Sequence, residues 1–495
     1  MNIVAAFAAR AEATPDMPAV VEGDRVVGYG RLGAAVLEAA AAFAGRGWTG
    51  GTRVGVCLSG PAALRVATML ALARIGAVQL PLAAGDPPAL RAQTMRQFRL
   101  TALVTDAGDV PAGVAVVRPD ERWLAPRPGP GRAAPPIAAG DEAPWTIVQS
   151  SGTTGQRKAF HVSHAMEAAR TAAQPHHALP QPGERCLSLI PLESRSGQSA
   201  ALRCLDGGAT LIAQTGPFEP RRIVAAIRGA GISFLIATPA QLTALVEVLP
   251  DEGGPWLPGL RFLRANSGAV TPDLLARIGR RMTPNLHVDY GTNEAGTIAI
   301  ATPDDLGSDP TSVGRPVAGI EVEIVDGADG RGEIRVRGPG VCRGYIDDAA
   351  ATRLAFRNGW FHPGDLAGRD PEGRLRLYGR RDDRLNFGGI KVSLEEIERV
   401  ALAHPAVAEA AAFAVPSPRF ADVPALAVVA HGGRAVAGLG RHCQDRLGAA
   451  APRHFMLLAA LPRTATGKID RHRLIEMVQA RTGGAADARP VSREQ

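Results

Sequence analysis

The chain has 495 residues, 46% of them apolar, with a formal net charge of +7 and a pI near 9.6. This length and apolar share suit more than one domain with large buried cores. No run of 18 uncharged apolar residues occurs, the arginines are dispersed and aromatics are only 4%, which argues against a membrane span and against an aromatic-laced nucleic-acid surface.

The N-terminus, MNIVAAFAARAEATPD, lacks a charged region followed by a signal-peptide core, so a cytoplasmic location is expected. RLGAAVLEAAAAFAGRG reads as an amphipathic helix closed by glycine, and RVGVCLSG and AVQLPLA as strands flanking the helix AALRVATMLALARIG. That order belongs to layered α/β architecture. The apolar stretch 61–84, broken by Arg65 and Arg74, reads as buried helix and strand. APRPGPGRAAPPIAAG is a Pro/Gly-rich surface segment. WTIVQ predicts a strand leading into the loop SSGTTGQRK. Residues 220–249 predict helix, strand, helix, and IEVEIVDGADGRGEIRVRG an antiparallel hairpin. RLRLYGRRDDRLNFGGIKV predicts two strands around a charged turn. SLEEIERVALAHP predicts a helix with a capping-box start, Ser393 to Glu396. AVAEAAAFAVP fits a strand or a short helix, the strand being favoured. A boundary is expected near Asp382, with a compact βαβ-like tail after it and fraying beyond about residue 478.

Five scattered cysteines without CxxC spacing argue against a disulfide framework or a zinc site. The close histidines, His161/His164 and His176/His177, have no cysteine or carboxylate cluster around them.

Only three of the 55 basic residues are lysine: Lys158, Lys391 and Lys468. Each stands in a glycine-containing segment, SSGTTGQRK, NFGGIK or RTATGK. An ammonium on a slim stem fits where a planar guanidinium does not, so these positions are candidates for chemistry, with chance survival as the plainer alternative. In the loop Ser151-Gly152-Thr153-Thr154-Gly155, glycines admit backbone N–H groups to phosphate oxygens, hydroxyls add donors and Lys158 adds a point charge. It lacks the GK[ST] of a Walker A loop, and a flexible surface turn is the alternative.

This loop resembles the signature [ST][SG]G[ST]TGxPK of the ANL superfamily of adenylate-forming enzymes, which includes acyl- and aryl-CoA synthetases, amino-acid adenylation domains and luciferases. Ser163-His164 matches the [ST]H that follows; Arg157 and Ala159 depart from the usual proline and glycine. The resemblance covers almost the whole chain. Tyr290-Gly291-Thr292-Asn293-Glu294 looks like YGxTE, Asn266-Ser267-Gly268-Ala269 like the strip beside the adenine and acyl pocket, and Gly359–Asp365 like W[FY]xTGD with Pro363 for threonine. Gly379–Arg384 looks like GRxDD, Gly388-Gly389-Ile390-Lys391 like the thiol-tunnel loop, and Pro462–Lys468 like P[KR]TxxGK.

The resemblance implies a large multi-layer α/β N-terminal body, residues 1–381, and a smaller α+β C-terminal lid, residues 382–495. It implies that Tyr290 packs on adenine, that Asn293 contacts phosphate and that Glu294 holds Mg²⁺. Asp365 and Arg380 would bind ribose, Asp382 would be the hinge, Gly389 and Lys391 would line the thiol path, and Lys468 would be the adenylation lysine. ATP, Mg²⁺ and CoA or a phosphopantetheine thiol follow as cofactors and co-substrates.

In place of the family's PLxHxxG stands Pro191-Leu192-Glu193-Ser194-Arg195-Ser196-Gly197. Glu193 could pair an α-amino group and Arg195 a second carboxylate, which would favour a polar acid; alternatively both face solvent. The expected function is an AMP-forming acid–thiol ligase acting on a small carboxylic acid, with a separate acyl or peptidyl carrier protein as an open acceptor. The alternatives are a stand-alone amino-acid adenylating enzyme serving such a carrier, and a nucleotide-binding module that has lost catalysis.

Overall fold

The computed structural model describes residues 2–108, 110, 113–125, 135–138, 140–149, 158–214, 216–325, 330–380, 384–387, 390–417, 421–433, 436–448, 451–464 and 467–482, with backbone alone at a few of them. The chain forms two compact units. One comprises 1–323, 335–363 and 373–375; the other comprises 324–334, 364–372 and 376–495. The expected boundary residue Asp382 lies outside the described residues, as does the turn 326–329 of the predicted hairpin.

The first unit contains two sheets. In the smaller, Ala115–Val117, Ala102–Thr105, Arg53–Cys57, Val78–Pro81 and Pro144–Gln149 lie side by side in parallel, and Ala159–Ser163 closes the edge antiparallel. The helix Ala62–Arg74 between two of these strands is buried along nearly its whole length, because alanines and leucines surround it on every face. It serves as core between layers, as its sequence predicts. In the larger sheet, Pro18–Glu22, Thr210–Ala213, Arg185–Ser188, Phe234–Ala237, Phe262–Ala265 and Leu286–Thr292 run parallel; Gly296–Ala301 and Ser312–Pro316 continue it antiparallel. The helices Pro220–Gly229 and Pro239–Glu247 flank Phe234–Ala237 as expected. Thr238 starts the second with a capping box to Gln241, satisfying amides that the first turn leaves unpaired.

The second unit has a three-stranded sheet. Val407–Ser417 runs antiparallel to Ala421–Ala430, which runs parallel to His454–Leu457 with the helix Leu439–Leu447 between them. AVAEAAAFAVP is therefore strand. Its alternate residues serve two cores. Ala410 and Ala412 face Ile397, Val400 and Cys443, whereas Ala411, Phe413 and Val415 face Leu461, Leu474 and Val478. The segment expected to hold two strands around a charged turn forms three, Leu375–Arg380 and the antiparallel pair Arg384–Phe387 and Ile390–Ser393. Among the described residues no helix is long and apolar enough to cross a membrane.

His287 stacks on Phe262, ring centroids 4.0 Å apart, and burial holds its imidazole down to about 4. The unfolded chain binds this proton at a higher pH than the folded one. Stability is therefore lost as pH falls from about 6.5 to about 4, by up to about 1.4 kcal/mol per pH unit for this group. His287→Phe should flatten that acid limb in denaturant melts between pH 4.5 and 7; an unchanged slope would assign the acid sensitivity elsewhere.

Candidate functional site

The strands Pro144–Gln149 and Ala159–Ser163 pair from Gln149–Ala159 onward, so the SSGTTGQRK segment connects two hydrogen-bonded neighbours. Ser151, Gly152, Thr153, Thr154 and Gly155 lie outside the described residues. Lys158 emerges at its end, its ammonium 5.3 Å from the centroid of the Tyr345 ring, within cation–π range. Ser163 then caps the helix His164–Ala172, its hydroxyl accepting from the Met166 amide at 3.1 Å. His164 is buried. Its Nδ1 accepts from the Ile3 amide, and burial pushes the ring down to about 4, leaving a neutral structural imidazole.

The YGTNE segment occupies the end of one strand and the turn to the next. Tyr290 is buried. Gly291 is required by close approach: a Cβ there would stand 2.3 Å from the Gly296 carbonyl oxygen. The Thr292 hydroxyl accepts from the Ala295 amide at 3.0 Å. Glu294 is only 8% exposed, and its Oε1 accepts from the Tyr345 hydroxyl at 3.1 Å. Tyr345 thus touches both Lys158 and Glu294, which lie far apart in sequence. The backbone of the turn is held from below by Arg170, whose guanidinium donates to the carbonyls of Asn293, Glu294 and Gly340 at 3.2, 2.7 and 2.8 Å. Burial, with Arg195 beside it, lowers the Arg170 pKa to about 9, still protonated at neutral pH.

Sequence reasoning singled out neither Tyr345 nor Arg170. The only local signals are the RGY segment around Tyr345 and an arginine on the helix that begins at His164.

Asn266 to Ala269 continue from the strand Phe262–Ala265. Ser267 and Gly268 are exposed, and Ser267 has a left-handed backbone with φ of 65°.

A magnesium ion commonly takes one or two carboxylates together with phosphate oxygens and water. Among the described residues no cluster of three or more histidine, cysteine or acidic side chains could cage a metal. A single carboxylate at Glu294, of whose acceptor positions the Tyr345 bond uses one, fits such a shared Mg²⁺ and does not fit a zinc cage.

Glu193, Ser194 and Arg195 start the helix Arg195–Asp206. Ser194 is its N-cap, with its hydroxyl accepting from the Gly197 amide. Glu193 pairs with Arg65, both partly buried. Arg195 is buried; its guanidinium pairs with the carboxylate of Glu167, reaches Ser199 and lies 5.8 Å from the Trp145 ring. Burial alone would raise the Glu167 carboxyl. The guanidiniums of Arg195, Arg170 and Arg203 and the Ser199 hydroxyl instead hold it below its ordinary value.

In the second unit the Arg380 guanidinium donates to Asp365 Oδ1 at 3.0 Å, bringing the two expected ribose contacts together. Lys468 sits on a tight turn. The Thr464 amide donates to the Lys468 carbonyl at 2.7 Å, the Gly467 amide to the Thr464 carbonyl at 2.8 Å, and Arg463 pairs with Glu409. Buried Leu461 before the turn and Leu474 after it anchor this segment to the core, while the Lys468 side chain is exposed. Lys391 lies on the strand Ile390–Ser393, described by its backbone only. Gly389 is outside the described residues.

Residues 7–346 match the AMP-binding enzyme family, and residues 396–468 match the AMP-binding enzyme C-terminal domain. The chain belongs to the AMP-binding enzyme family, and the resemblance carried by its motifs holds. It is 30% identical over 508 residues to the 3-hydroxybenzoate–CoA ligase of Aromatoleum sp. (strain CIB), covering 95% of each chain. It is 32% identical over 302 residues to a probable CoA ligase, CCL9, of Humulus lupulus, where the match spans 58% of this chain and 57% of that one. The fold superposes on o-succinylbenzoate coenzyme A synthetase (MenE) of Bacillus subtilis in complex with AMP. The TM-score is 0.81 at 25% identity, over 98% of both chains. MenE has also been solved with ATP and a magnesium ion.

Proposed function

We propose that this chain is an ATP-dependent acid–thiol ligase. A carboxylate oxygen attacks the α-phosphorus of ATP, and pyrophosphate leaves. A thiol of CoA, or of a phosphopantetheine arm on a separate carrier protein, then attacks the acyl carbonyl, and AMP leaves. The observation that carries this reading is the joining of Lys158 and Glu294 through Tyr345 in a chain whose relatives are CoA ligases.

Both partners of the first step are anions, so charge neutralisation and positioning dominate its barrier. Lys158 would meet the polyphosphate. Glu294 would hold Mg²⁺, which when bound supplies neutralising charge to phosphate oxygens. Tyr290 would pack on adenine, with Asn293 donating to phosphate, the loop Ser151–Gly155 presenting its amides and the Ser267–Ala269 strip flanking the pocket. Asp365 and Arg380 would hold the ribose, and Lys468 would bridge the acid and the α-phosphate. The C-terminal segment from Asp382 onward would turn about that residue to bring Gly389 and Lys391 to the thiol.

Glu193 and Arg195 both have protein partners, which weighs against the recognition of a second charge that their sequence position suggested. On that ground an aryl or aliphatic monocarboxylic acid is the substrate class we favour.

The test is acid-dependent ATP–pyrophosphate exchange over panels of aryl, aliphatic, dicarboxylic and amino acids. Exchange with a monocarboxylic panel supports this reading, and exchange restricted to amino acids supports the carrier-loading alternative. Tight ATP binding without exchange in any panel would leave only a nucleotide-binding module.

A further inference from the structure

We propose that Arg170 is a positioning residue for Glu294, fixing the turn that carries this acidic side chain in the geometry required by the first half-reaction. The inference rests on the adenylate-forming reading above. Arg170 touches no atom expected to react. It acts on the backbone, donating to the carbonyls of Asn293 and Glu294 from one nitrogen and to that of Gly340 from another. A planar fork with donors on separate nitrogens reaches three carbonyls from two segments at once, which the single nitrogen of an ammonium does not.

The space around the side chain is cut to fit it. A Cβ on Gly340 would stand 2.9 Å from Arg170 Cγ, and one on Gly296 would meet Cγ, Cδ and Nε at 3.1 Å. Gly296 closes the turn of Glu294, and Gly340 lies in the segment that leads to Tyr345. Arg170 therefore ties the backbone under Glu294 to the segment whose tyrosine holds the carboxylate. Its own helix follows the strand that begins beside Lys158. The acid and the segment that carries the tyrosine thus share one buried anchor, 4% exposed. Groups that orient a metal-binding side chain without touching the metal commonly change metal affinity 10–100-fold when altered.

The experiment compares the parent with Arg170→Lys, which keeps the charge and loses the fork, and Gly340→Ala, which keeps the guanidinium and displaces it. ATP–pyrophosphate exchange is followed against free Mg²⁺. ATP binding is titrated calorimetrically with and without Mg²⁺, and thioester formation is followed from supplied acyl-adenylate. Both variants should raise the half-saturating Mg²⁺ about tenfold and weaken the Mg²⁺-dependent gain in ATP affinity, with the thioester step unchanged. Parent-like Mg²⁺ dependence in both variants, or parallel loss in both half-reactions, overturns the positioning role. A parent that shows no acid-dependent exchange overturns the ligase reading itself, and this proposal with it.

Discussion

Lys468→Arg is expected to lower adenylation by about 10²–10³-fold, while thioester formation from supplied acyl-adenylate stays within about twofold of the parent. The proposed role asks one cation to sit between a carboxylate and the α-phosphate. A narrow ammonium does so; a guanidinium is wide and favours bidentate pairing with one anion, which holds the two apart. The turn around Lys468 is built from backbone bonds and from Arg463, so the substitution leaves its carrier intact. Single-turnover assays of the two half-reactions decide the matter. Equal loss in both would show that Lys468 serves the fold or the thiol step, and an unimpaired first step would remove it from adenylation.

Arg195→Met is expected to destabilise the first unit by about 3–5 kcal/mol, because it strands the buried Glu167 carboxylate without its main partner. The double variant Arg195→Met/Glu167→Leu should recover most of that loss. Removing both charges also removes the desolvation cost that their pairing offsets. Denaturant unfolding of the single and double variants gives the coupling directly. If the single variant were as stable as the parent, the charged pair would contribute nothing to folding, and Arg195 would again be a candidate for substrate recognition.

Much of this architecture was legible in the chain because the signals are local. The helix Ala62–Arg74 announces its burial by being apolar on every face, and the strand Val407–Ser417 by small and β-branched residues serving two sides. The motif residues Asp365 and Arg380 were readable as a pair and meet in an ion pair. What escaped is long-range. Arg170 finds its acceptors more than 120 positions downstream, and Tyr345 reaches back 51 residues to Glu294. No periodicity or spacing encodes such contacts. The Glu193–Arg195 segment shows the converse case. Charged residues beside a motif suggest a ligand, yet Arg65 and Glu167, on other helices, supply their partners.

Among the described residues, the core that carries the Lys468 turn is built from other side chains than the cores beneath Lys158 and Glu294. Substitutions that share no partners usually change the folding free energy additively. Substitutions that reshape acid preference in the first unit and substitutions that tune the lysine-bearing unit can therefore accumulate separately, each against its own margin of stability. For directed evolution, this makes the choice of acid and the integrity of the lysine's platform two searches that can be run apart and combined.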